Sequence, residues 1–527
     1  MIFLAACVLL SCVIANRFSN KIGMPALLLF MALGMLFGSD GLFKISFNDY
    51  HIAKDVCNIA LIFIMFYGGF GTKWNMAKPV ASKSVILSTA GVLITALLTS
   101  SFCFYILRFT LLDSFLIASV LSSTDAASVF SILRSKNLSL KDGTASMLEL
   151  ESGSNDPAAF MLTMITLSCI NGTGSVSGIF YMIFSQIVFG ILVGTAIAVI
   201  SIFTLKKLNI VTDGLETIFI IALVLLSYSL SEYVHGSGYL SVYLTGIILG
   251  NSRITNKIIL VHFFDGVTGL AQIIIFFLLG LLSMPHQLPE VIVPALLIGV
   301  FLTFIARPIA VFSILRPFKC SINQCVLLSL SGLRGAASIV FAIIAIAGGA
   351  DINCNLYHIV FMISFLSVAF QGSFLPIAAK KLDMIDCESD VRKTFNDYQE
   401  ESLITLMRVF IPKGHSWEGK TVEEAAIPSD SLALIIKRDD ENIVPKGNTV
   451  IKANDSIILS IPCCDMEDDI KLKEIKIDKN HKWCNKNIED LDLPDDILIA
   501  LIKRGDENII PRGRTIILEN DVVVMYN

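Results

Sequence analysis

Charge is scarce in this chain. Of its 527 residues only 16% are charged while 54% are hydrophobic, and the mean hydropathy is +0.73. That balance excludes a soluble protein of this size. The net charge of −5 carries little meaning, because it sums two unlike regions. The twelve cysteines are scattered, and their tightest cluster, Cys463-Cys464, is no metal spacing. Buried free thiols are expected, with no disulfide framework, no metal centre and no bound cofactor. No basic residue precedes the first apolar run, and Arg17 and Lys21 follow it. A retained first helix with its N-terminus outside is therefore expected, rather than a cleaved signal. There is no Thr-Val-Gly-Tyr-Gly string. The nearest, Gly236-Ser237-Gly238-Tyr239, falls in an expected outside loop, which argues against a potassium channel. Histidine is missing from span interiors, since His51, His235, His262, His286 and His358 fall at span ends or in loops. An intramembrane hydrolase built on Ser152 or Ser154 would lack its base, so no enzyme is expected.

What the chain has is apolar length. Thirteen runs between residues 2–16 and 356–379 can span a bilayer, the second, third and ninth of them short. With the N-terminus outside, the inner loops carry sixteen Lys and Arg, from Arg17 to Lys381. The outer loops carry only Lys44, Lys54 and Arg108. This bias places everything after residue 381 in the cytoplasm of a multi-pass protein of the cell membrane. The expected fold is an all-α polytopic membrane domain over 1–381, with small α+β cytoplasmic domains behind it. A linker (382–400) leads to units at 401–466 and 467–527.

Three polar anomalies break the apolar text. Ser122-Ser123-Thr124-Asp125-Ala126-Ala127-Ser128 interrupts the fifth span, and Ser331-Gly332-Leu333-Arg334-Gly335-Ala336-Ala337-Ser338 the twelfth. Both run from a polar break into Ala-Ala-Ser. They lie seven spans apart, so they cross the membrane in opposite directions. Paired broken helices of this kind point to inverted repeats with the substrate site at the breaks. The third anomaly is Glu151-Ser152-Gly153-Ser154-Asn155-Asp156-Pro157 in the sixth span. At i,i+4 spacing, Glu151, Ser152, Asn155 and Asp156 line one side of a helix. A charge at the bilayer centre costs roughly 2.5–3.5 kcal/mol and implies a role or a partner. Asp156 is expected to hold a proton or a monovalent cation in competition, which gives electroneutral exchange. Ser152 and the backbone near Thr124 and Asp125 are candidate oxygen ligands; capping of broken helices is the plainer role for the two aspartates. Arg334 needs a partner at depth, and Glu151 with Asn155 is the expected one. Arg307 is expected to snorkel or pack.

Glu-Ser-x-x-Asn-Asp, Thr-Asp and Gly-Leu-Arg-Gly together resemble the monovalent cation/proton antiporters of the Na⁺/H⁺-exchanger-like branch. The resemblance covers about residues 1–381. It implies a thirteen-helix fold with a dimerisation domain and a moving core, Asp156 as carrier carboxylate, and Ser152 and Thr124 as ligating groups. Glu151, Asn155 and Arg334 would form a supporting network, and Asn155 looks like the electroneutral subgroup. One departure is visible: Ala126 follows the Thr-Asp pair where many relatives carry proline. The implied substrates are H⁺ and K⁺ or Na⁺, in a lipid-embedded homodimer with no nucleic-acid partner. A non-transporting membrane sensor is the other reading, and it would tolerate loss of Asp156.

The tail repeats itself. Ile436 to Gly447 returns as Ile502 to Gly513, and His415, Trp417, Lys420, Pro428 and Asn454-Asp455 recur at the same offset. Each copy reads as short strands, such as Leu432–Lys437 and Asp455–Ile461, with a helix near Thr421–Ala426. The Lys-Arg/Asp-Glu turn reads as a solvated hairpin. Both copies resemble the C-terminal (TrkA-C-like) half of RCK regulators of potassium channels and transporters. No Gly-x-Gly-x-x-Gly string of the nucleotide-binding half is present. The resemblance implies dimerising regulatory units, in some relatives controlled by cyclic di-AMP. The tail tilts the cation toward K⁺.

Overall fold

The computed structural model describes residues 2–22, 25–136, 138–205, 215–252, 254, 257–349 and 355–386. In the tail it describes 404–425, 427, 431–438, 441–462, 472–478, 481–491, 498–504, 507–509, 511 and 513–526. Residues 387–400 of the expected linker lie outside these. The chain forms two compact units, Met1–Gln399 and Glu400–Asn527.

The first unit is helical. Its main helices are α1 (Ile2–Ile22), α2 (Ala26–Phe37), α3 (Tyr50–Gly71), α4 (Ala81–Tyr105), α5 (Leu111–Leu121), α6 (Ala126–Ser135), α7 (Thr144–Ile170) and α8 (Val176–Phe203). They continue with α9 (Leu215–Tyr233), α10 (Gly238–Gly250), α11 (Lys257–Leu282), α12 (Pro285–Leu315), α13 (Ile322–Leu330), α14 (Ala336–Ala347) and α15 (Leu356–Lys381). Among the described residues, seven are long and apolar enough to cross a bilayer.

Two groups emerge from the packing. One joins α2, α3, α8, α10 and α11, the other α4, α5, α7, α12, α14 and α15; α7 and α14 meet α3 and α10 between them. Water drives nothing between helices in lipid, so close backbone approach must. In the first group it does. A Cβ on Gly34 would lie 2.1 Å from the Phe277 carbonyl oxygen, and one on Gly250 would lie 2.0 Å from that of Phe70. π-Helical turns interrupt α4 at Leu87–Gly91, α12 at Leu302–Ala306 and α15 at Ser367–Gln371. Such turns free backbone groups and commonly mark functional sites.

The second unit holds two four-stranded antiparallel sheets. Their strands are β1 (Ile404–Phe410), β2 (Leu432–Arg438), β3 (Glu441–Ile443), β4 (Ser456–Pro462), β5 (Leu472–Lys476), β6 (Leu498–Arg504), β7 (Glu507–Ile509) and β8 (Val522–Tyr526). Their orders are β1-β4-β2-β3 and β5-β8-β6-β7. Register irregularities between Ala433 and Ile435 and between Ile499 and Leu501 repeat at the sequence offset. So do left-handed Asn454 and Asn520, both at φ 68°, a conformation asparagine tolerates.

The expected helix near Thr421–Ala426 is a turn; Ala426 itself lies outside the described residues. Thr421 and Glu424 do form a reciprocal capping box. The next amides, however, donate to another segment: Val422 N–H to the Thr449 carbonyl, Glu423 N–H to that of Gly447. Together with the Gly419–Ile451, Lys420–Ile451 and Thr421–Val450 pairing, these bonds hold the backbone alongside residues 447–451, and only a single turn forms.

Candidate functional site

The two polar breaks are where helices stop. The chain leaves α5 at Leu121 and re-enters helix at Ala126; it leaves α13 at Leu330 and re-enters at Ala336. The breaks cross each other, for the Asp125 N–H donates to the Leu333 carbonyl at 2.9 Å. Four half-helix ends therefore converge, and each needs partners. Asp125 serves the α6 start: its carboxylate accepts from the Ser128 N–H at 3.2 Å and the Ser128 hydroxyl at 2.5 Å. A Cβ on Gly335, at the α14 start, would sit 1.9 Å from Asp125 Oδ2. The carboxylate thus lies beside two positive helix ends. Arg334 serves the opposite pole, donating through Nη1 to the Ser123 carbonyl beyond α5 at 2.6 Å. At the α13 end Gln371 Nε2 donates to the Leu330 carbonyl, and Ser367 links the Arg334 N–H to Gln371. Both residues come from the π-helical turn of α15.

Helix α7 lies against this crossing. The Ser152 hydroxyl donates to the Thr124 carbonyl at 2.8 Å. Asn155 Nδ2 donates to the Thr124 hydroxyl, and the Ser123 hydroxyl donates to Asp156 Oδ1. Asp156 is buried, as are Glu151, Asn155 and Arg334. The structure thus brings Thr124, Asp125, Ser152, Asn155, Asp156 and Arg334 to one crossing.

Glu151 is the correction. Its partner is Arg307 of α12, with Nη2 to Oε1 at 2.5 Å, whereas Arg334 was the expected one. Arg307 neither snorkels nor merely packs. Only 2% of it is exposed, and it lies over the α13–α14 break, where a Cβ on Gly332 would be 3.0 Å from its Nε. Arg334 lies within electrostatic range of both, so the three form one buried charge cluster. Sequence reading also missed Ser123, Ser367 and Gln371. Their one signal was polarity in an apolar span.

The model of the sodium/hydrogen exchanger transmembrane family matches residues 6–381. The chain belongs to that family. The TrkA-C domain model matches residues 406–462 and 472–526, so the tail carries that domain twice. The chain is 33% identical over 460 residues to the K⁺/H⁺ antiporter NhaP of Alkalimonas amylolytica, covering 86% of this chain and 80% of that one. It is 30% identical to the K⁺/H⁺ antiporter NhaP2 of Shewanella baltica, covering 84% and 77%. The fold matches the sodium proton antiporter MjNhaP1 of Methanocaldococcus jannaschii with TM-score 0.62. That alignment is 23% identical and covers 71% of this chain and 99% of the other.

Proposed function

We propose that the protein exchanges a monovalent cation, K⁺ before Na⁺, for H⁺ across the cell membrane, electroneutrally, with the two competing at Asp156. What carries the proposal is one arrangement: a buried carboxylate against two crossed helix breaks, in a family of cation/proton exchangers. Around the crossing lie Asp125, Glu151, Asp156, Arg307 and Arg334. These groups carry one more negative than positive charge when all are ionised. A single proton or monovalent cation neutralises the set, and a neutral set can reorient in a low-dielectric membrane at least cost. Ser152, Thr124 and Asp156 supply the hard oxygens that such a cation prefers. Glu151, Arg307, Asn155 and Arg334 hold the frame. The relatives named for K⁺ favour that ion.

In this reading each broken pair is a single crossing, which gives thirteen. The loop charges support an outside N-terminus and cytoplasmic TrkA-C units, which in this reading regulate transport. Lipid and a second copy cover outward apolar residues such as Val176, Phe180 and Phe184, all highly exposed. The test is proton flux in proteoliposomes holding a pH gradient. Adding K⁺ or Na⁺ moves protons in the wild type, independently of membrane potential, and Asp156→Asn abolishes the movement. Flux that survives Asp156→Asn removes that carboxylate from the mechanism.

A further inference from the structure

Asp156 is flanked along α10 by two tyrosines one turn apart, Tyr239 and Tyr243, both buried. On the Tyr239 side lies an aromatic cluster. Ring centroids lie 4.9 Å apart for Phe160–Tyr239, 5.5 Å for Phe160–Phe341 and 6.0 Å for Tyr239–Phe341. The Tyr243 side is polar. The ring packs where Gly153 leaves room, with Cζ 2.3 Å from the place a Cβ would take. Its hydroxyl is buried with no well-formed hydrogen bond; the Thr72 and Ser154 side chains interact with it loosely, and Glu149 and Asp156 lie within electrostatic range. Glu149 lies on α7 two turns before Asp156, about 10 Å along the axis, and accepts from the Thr72 hydroxyl at 3.1 Å. Thr72 belongs to the α3 end, so this bond joins the two helix groups. Just beyond Thr72 opens a cavity of about 490 Å³ rimmed by Lys73, Asn75, Asn251 and Lys257. The Lys257 ammonium is tied to the Gly250 carbonyl.

We infer that Glu149, with the hydroxyls of Thr72 and Tyr243, is a second monovalent-cation station on the cytosolic approach to Asp156. This rests on the exchange proposed above and on its orientation. The chemistry follows from the rim. Two lysines at the mouth repel an incoming cation, and the Glu149 carboxylate behind Thr72 offsets that field. A buried hydroxyl with no well-formed hydrogen bond then offers its oxygen to a dehydrating ion. The cation passes from Glu149 to Asp156 past Tyr243. The aromatic cluster blocks the other way out until the helix groups shift.

The test uses the full-length protein in everted and right-side-out membrane vesicles, with K⁺ and Na⁺ as probes. Glu149→Gln raises KM for cation supplied at the cytosolic face about fivefold, the equivalent of about 1 kcal/mol of lost attraction at close range in a water-like medium. The KM at the outer face and kcat stay within about twofold. Glu149→Asp, which keeps the charge, restores most of the cytosolic KM. An unchanged KM at the cytosolic face, or an equal rise at both faces, overturns the station and leaves Asp156 untouched. Should Glu149→Gln not reach the membrane, Thr72→Val reads the same cytosolic KM, and no rise overturns the proposal. Flux persisting in Asp156→Asn would instead defeat the exchange reading itself.

Discussion

Glu151 and Arg307 are each almost fully buried, which makes their pairing a matter of stability. Removing one partner of a buried pair leaves an uncompensated charge and costs about 3–5 kcal/mol, whereas removing both costs far less. Glu151→Gln and Arg307→Gln are each expected to lower the melting temperature of the detergent-solubilised protein sharply. The double variant should recover much of the loss, with a coupling of about 1–3 kcal/mol in the cycle. Additive losses would contradict the pair. The residues of α7 were legible in the sequence because i,i+4 spacing on one helix needs no tertiary knowledge. Arg307 was not. An arginine near the end of a long apolar run looks like any snorkelling side chain, and its carboxylate lies on another helix far away in sequence. Ser123 escaped for a similar reason: a hydroxyl beside a break reads as a cap until the carboxylate it meets is placed.

At the scale of elements, the two breaks depend on absent side chains as much as on present ones. Gly335 lies so close to the Asp125 carboxylate that a methyl group cannot enter without moving it. Gly335→Ala is expected to displace Asp125, lower thermal stability and abolish exchange. Gly266→Ala is the control, because nothing lies within 4 Å of the Cβ it would add; its stability and flux should match wild type. A Gly335→Ala protein with normal flux would show that the crossing tolerates separation. The breaks themselves were legible as polar interruptions. Their contact, Asp125 N–H to the Leu333 carbonyl, was not, since short similar motifs do not say which backbone groups meet. In the tail, a good capping box at Thr421 suggested a helix. Strand-like pairing with residues 447–451 holds the backbone there and leaves room for one turn only.

For the whole molecule, the duplicated tail repeats even its charge chemistry. Arg438 grips Asp455 through Nε and Nη2, and Arg504 grips Asp521 likewise, at 2.6–2.9 Å. The arginine at the edge of each turn thus pins β2 to the start of β4 and β6 to the start of β8; turn residues 439–440 and 505–506 lie outside the described residues. Burial alone would raise both carboxyls, but the arginine and a backbone N–H more than offset it and hold them below the usual range. A lowered pKa contributes stability in full above the unfolded value of about 3.9, and that contribution fades as pH falls through the folded value. Two of the three tryptophans, Trp417 and Trp483, lie in the tail, so fluorescence of the full chain reports on it. Tail unfolding is expected to become easier below about pH 4. Arg438→Ala is expected to cost about 1.5–3 kcal/mol at neutral pH and to flatten the acid dependence of its own unit. An unchanged acid transition would dismiss the clamp.

The membrane unit stands or falls on competition at Asp156. The most direct measurement is proton release from the purified protein in weakly buffered detergent solution when K⁺ or Na⁺ is added. Competition at one carboxylate requires cation binding to expel a proton in the wild type and to expel none in Asp156→Asn. Cation binding without proton release, or release undiminished in Asp156→Asn, would contradict the mechanism.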